Sequence, residues 1–76
     1  MSVDIQRIMK LLEHWINHNE EHLKRFRDLA DEMSKIDMVD SSKEIIEAAK
    51  IGNEVSTHLQ NALNLLISNK KYGKNE

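Results

Sequence analysis

The chain contains no cysteine and no proline, and only two glycines, one tryptophan, one phenylalanine and one tyrosine among its 76 residues. Without cysteine there is no disulfide, thiolate metal site, covalent haem attachment or cysteine nucleophile, and the redox compartment leaves no mark. Without proline nothing breaks a helix from inside, and Gly52 and Gly73 do not make a Gly-rich phosphate loop. No apolar run approaches the ~20 residues that span a bilayer, and the N-terminus lacks the basic-then-apolar pattern of a secretion signal. The expected location is therefore the cytoplasm. Neither sign of charge dominates: the formal net charge is -2, with acids and bases interspersed. That gives no electrostatic case for nucleic acid or for an anionic membrane as partner.

What is present is heptad order. Ile5, Ile8, Leu12, Trp15, Asn19, His22, Phe26, Leu29, Met33 and Ile36 follow alternating steps of three and four, with Met9, Ile16, Leu23 and Ala30 widening the stripe. Such a pattern predicts one long amphipathic helix over about 3–35, with Ser2 able to cap its start. The pattern fades over Ser34–Asp40. Ser41-Ser42-Lys43-Glu44 then has the form of a capping box opening a second helix over about 42–70. In that helix Ile45, Ala48, Gly52, Val55, Leu59, Ala62 and Leu66 keep the same spacing; Ala49 and Leu63 flank one side, and Ile51, His58 and Leu65 the other. The cation-rich end, 70–76, is expected to fray.

Two long helices and a short connection predict an all-α antiparallel hairpin, one domain over 1–76. A connection from Lys35 to Ser42 sets facing residues at numbers adding to ~77, with Trp15 opposite Ala62 and Phe26 beside Gly52. Both apolar stripes are broader than a two-helix seam, and 76 residues is near the lower limit for a lone core. A homodimer forming a four-helix bundle is the expected way to cover the excess. As central d and a residues of the heptad pattern, Trp15 and Phe26 are expected to be buried.

Three of the four histidines, His14, His18 and His22, stand at four-residue steps and share one ridge of the first helix. The expected register brings His58 to the level of Asn19, so His18, His22 and His58 are the candidate metal ligands, with Glu21 or Glu54 nearby. Inward side chains from facing helices build metal sites in bundles. Neutral imidazole suits nickel, cobalt, zinc or copper, and nothing in the residues chooses among them. His14 falls on the solvated flank. The competing reading is a structural or protein-interaction module, in which an Asn19–His22 polar layer fixes register and oligomeric state without any ligand.

Enzyme motifs fail when tested. His18-Asn19-Glu20-Glu21-His22 has the form H-x-x-E-H of the inverted zinc peptidases, but a hairpin this small offers no cleft for a peptide. The Glu-x-x-His motif of di-iron bundles is absent, since Leu11, Trp15, Asn19 and Val55 stand three residues before the histidines. No serine lies in a nucleophile elbow. The expectation is a non-enzyme. Non-covalent bis-histidine haem is left open by the missing cysteine. Glu20, Glu21, Lys24, Arg25, Arg27 and Asp28 read as a solvated face with helix ion pairs, and Met9 and Met33 as apolar filler.

The block Leu11-Leu12-Glu13-His14-Trp15-Ile16-x-His18-Asn19-x-Glu21-His22, followed by Phe26-Arg27, resembles a group of small His-rich helical-hairpin proteins of anaerobic archaea and bacteria. A looser likeness runs along Glu47 to Leu63. That group has no established activity, so the resemblance implies the hairpin fold and no particular chemistry.

Overall fold

A computed structural model of the chain describes residues 3–73, with side chains from 4 to 68. Two helices, α1 (Val3–Lys35) and α2 (Val39–Gly73), pack antiparallel against each other. The first helix has the expected length. The second begins three residues before Ser42, and the expected capping box is not a cap. Ser42 lies inside α2, its amide bonded to the Met38 carbonyl at 2.9 Å. Its buried hydroxyl instead donates to the Ala30 carbonyl of α1 at 2.7 Å, tying the helices together beside the turn. At its other end α2 continues to Gly73, so the backbone is helical over 70–73 where fraying of 70–76 is expected; residues 74–76 and the expected Ser2 cap lie outside the described residues.

The turn closes early because Asp37 takes a left-handed conformation, φ 65°. The Met38 amide then reaches back to the Met33 carbonyl (2.9 Å) and the Asp37 amide to that of Ser34 (3.2 Å). This is the Schellman pattern, which satisfies the last carbonyls of α1 and reverses the chain. Aspartate is among the few side chains that tolerate this region. One turn before, Lys35 closes α1 with an ion pair to Asp31 at 3.0 Å, and that hydrogen bond raises the Lys35 pKa.

Centring the turn on Asp37 shifts the register. Asn19 meets Gly52 and Ser56, Leu23 meets Gly52, and Ala30 meets Ser42, so facing numbers add to 71–75 rather than ~77. The seam itself also lies to one side of the expected stripe. Residues turned inward on α1 are Met9, Leu12, Ile16, Asn19, Leu23, Phe26, Ala30 and Met33, and on α2 they are Ile45, Ala49, Gly52, Ser56, Leu59, Leu63 and Leu66. Steps of three and four persist, but Trp15, His22 and Leu29 fall outside the seam. Contrary to expectation, Trp15 is 47% exposed within one chain, while Phe26 is half-buried. The closest approach is at Gly52, where an added Cβ would collide with Leu23 Cδ2. Leu23 is 1% exposed and has little room to yield.

The result is a layer one helix thick, 60 × 16 × 10 Å. Its radius of gyration is 17.4 Å, against about 11 Å for a compact chain of this length. Accessible surface is 6034 Å² for 8.9 kDa, where a compact monomer of that mass exposes about 4,800 Å².

Candidate functional site

Two faces of this layer differ in chemistry. On one side the positions flanking the seam are Gln6, Glu13, Glu20 and Arg27 of α1 and Ile46, Asn53, Gln60 and Ile67 of α2, polar apart from the two isoleucines. Glu13, Glu20, Asn53 and Gln60, with Ile16, Ser56, Thr57, Asn61 and Leu63, line shallow hollows there. On the other side the flanking positions are Ile8, Trp15, His22 and Leu29 of α1 and Ala48, Val55 and Ala62 of α2. The next positions outward are Asp4, Leu11, His18, Arg25 and Glu32 on α1, and Glu44, Ile51, His58 and Leu65 on α2. An open groove of about 350 Å³ runs here between Trp15, His18 and His22 on one helix and Val55 and Leu59 on the other, with Asn19 at its floor. Ile51 and Leu65 are 63% and 64% exposed.

A polar layer crosses the seam at the expected level with different members. Asn19 Nδ2 donates to the Gly52 carbonyl and to Ser56 Oγ, each at 2.8 Å. Ser56 in turn donates its hydroxyl to Glu20 Oε2. The layer satisfies itself, and its open end, at Glu20, lies on the polar face. Asn19 was legible from the heptads as an inward polar residue. Ser56 was missed because the expected stripe put Val55 inward; the run Ala49-Gly52-Ser56-Leu59-Leu63 was the available signal.

His22 is not part of that layer. The His18 and His22 rings meet edge to face, centroids 4.6 Å apart at 71°. His14 stacks on His18 at 5.8 Å and 12°. All four histidines are exposed. The structure thus brings His18 and His22 together and extends the ridge to His14. His58 stands on the same apolar face but on the outer flank of α2. Among the described residues no three His, Cys, Asp or Glu side chains group tightly enough to hold a metal ion. Within one chain, therefore, the ridge offers two adjoining donors and His58 stands apart. No helix among the described residues is long and apolar enough to cross a membrane.

A family model described as a domain of unknown function, DUF8180, matches residues 8–66. The chain belongs to that family. The matched span contains the turn, the polar layer and all four histidines. No curated protein and no solved structure matches the chain.

Proposed function

We propose that this hairpin is a non-catalytic self-associating module, half of a homodimeric four-helix bundle acting in the cytoplasm. The observation that carries this reading is the apolar face, where Trp15, Leu29, Ile51, Val55 and Leu65 all stand out from a layer one helix thick. Stable domains pack at least two layers around one core, and here only five apolar residues among those described, Leu12, Leu23, Ala30, Ala49 and Leu63, are buried. The surface in excess of a compact monomer is about 1,200 Å², comparable to the ~800 Å² that each partner contributes to a standard interface. A second copy supplies a face of matching dimensions and chemistry. Sedimentation equilibrium at micromolar concentration is expected to return twice the 8.9 kDa chain mass; a folded monomer there rules the reading out.

A second reading, that the module binds a divalent transition ion such as nickel, cobalt, zinc or copper, is favoured by the His18–His22 ring pair. Histidines one helical turn apart on an exposed ridge supply two donors, and stable sites for such ions need more. Among the described residues no third donor groups with them to hold an ion within one chain.

A further inference from the structure

We propose that His18 and His22 of one copy and His58 of a second copy together hold a divalent transition-metal ion, two such sites forming when α1 of each hairpin packs on α2 of the other with both turns at the same end. The inference rests on the dimer proposed above and adds its arrangement and its ligand.

Two twofold arrangements bring the apolar faces together. With the axis across the helices, α1 packs on α1 and α2 on α2. The larger flanking residues, Trp15 and Leu29, then face their own kind, and Ala48, Val55 and Ala62 do the same on the other helix, leaving one half overfilled and the other hollow. With the axis parallel to the helices, α1 packs on the partner's α2, so large side chains meet small ones, as close packing requires. The second arrangement fits the distribution of side-chain size.

A twofold axis parallel to the helices leaves heights unchanged. Each α1 residue is therefore level with the same α2 number in the partner as in its own chain, the sums of about 73 set by the Asn19, Leu23 and Ala30 contacts. Along the outer rim of this interface Leu11 then falls near the partner's Leu65 and His18 near the partner's His58, each offset by about three residues, or about 4.5 Å of helix rise. Side chains tilt toward the N-terminus of their own helix. Because α1 and the partner's α2 run in opposite directions, the His18 and His58 side chains lean toward each other and close that offset. His22, one turn from His18, already touches its ring. Three imidazoles on two facing helices with a fourth position open to water is a donor set suited to zinc, cobalt or nickel. His14 lies further round α1, away from the interface.

The test is complementation between copies. Wild-type protein in chelator-treated buffer is titrated with Zn²⁺ by calorimetry, with Co²⁺ absorption reporting the coordination, and sedimentation run alongside. The expected stoichiometry is one ion per chain, two per dimer. His18→Ala and His58→Ala are each expected to lower affinity by more than about 100-fold, beyond the loss usual for outer-sphere partners. Both positions are exposed, and circular dichroism, with His58→Gln as a second variant, verifies folding. Unfolding the two variants together and refolding them lets mixed dimers form. In these one site carries all three histidines and the other carries one, so tight binding returns at one ion per mixed dimer. A dimer whose mixed species bind nothing overturns the shared site while leaving the assembly standing. Undiminished binding by His58→Ala overturns it too, in favour of a chelate along the ridge or of α1 packing on α1. A chain monomeric with and without Zn²⁺ removes both proposals.

Discussion

The two faces of the hairpin share the same seam and differ in what they leave unfinished. On the polar side, Asn19, Ser56 and Glu20 form a closed chain of hydrogen bonds, and Asn53, Gln60 and Asn61 meet water. On the other side large apolar side chains meet water instead, and the histidines stand among them. Polar groups that bond one another within a chain favour one pairing of helices. Apolar area that nothing covers favours association, because its burial is worth about 25 cal/mol per Å² and needs no directional match. The contrast teaches that one side specifies the hairpin and the other is available for assembly. Single scattered apolar residues on a surface signify little; a contiguous face of them marks an interaction site.

The largest effect that tests this contrast is expected at Trp15. In a lone hairpin the indole is half in water, and its truncation costs little. In the assembled bundle it is covered, and Trp15→Ala is expected to cost about 3–5 kcal/mol, as for a buried aromatic that leaves a cavity. Gln60→Ala on the polar face serves as the control and is expected to change stability by less than about 0.5 kcal/mol. Denaturation at several protein concentrations measures both. Equal small effects would erase the distinction between the faces.

Sequence patterning carried much of this. The hairpin, the extent of α1 and the inward placement of Asn19 followed from the three-four alternation, because a sustained apolar period admits few structures. The seam itself was less legible. On α1 three adjoining apolar rows, through Leu12, Trp15 and Ile16, compete for one groove, and hydrophobicity alone does not rank them. What decides is fit: Gly52 admits Leu23, and Ser56 satisfies Asn19, which turns the row holding Trp15 and His22 outward. The turn was misplaced because Asp37 does the work that glycine usually does, while Ser41-Ser42-Lys43-Glu44 imitates a helix start. That shift of three residues moved the expected level of His58. The heptad register alone groups His18, His22 and His58 within one chain, whereas the geometry of a single hairpin unites only the first two.

An intermediate effect is expected on the polar side. Asn19→Ala removes two hydrogen bonds, to Gly52 and to Ser56. At 0.5–1.5 kcal/mol net for each, the expected loss is about 1–3 kcal/mol, and Ser56 keeps Glu20 as its acceptor. Because these bonds join the two helices of one chain, and Asn19 reaches the apolar groove only at its floor, the variant is expected to remain dimeric by sedimentation while melting lower. Dissociation of the dimer at full helicity would show that the polar layer belongs to the assembly rather than to the hairpin.

The smallest expected effect distinguishes the two ways of joining the apolar faces. The rim spacing that sets His18 near the partner's His58 recurs two heptads along, where Glu32 of α1 falls near the partner's Glu44 with the same offset and the same converging tilt. Arg25, on the far side of Glu44, leans away from it. Like charges facing across an interface oppose pairing, so Glu44→Lys converts a repulsion into an ion pair. Exposed pairs of this kind are worth a few tenths to about half a kcal/mol each, two form per dimer, and they weaken with salt. The dimer dissociation constant is therefore expected to fall by up to about fivefold at low ionic strength, with the gain shrinking as salt is added. Reversing both, Glu32→Lys with Glu44→Lys, restores the like-charge contact and is expected to return the constant to near the wild-type value. If α1 packs on α1, Glu32 and Glu44 stand on different halves of the bundle, and no such compensation between the two substitutions appears.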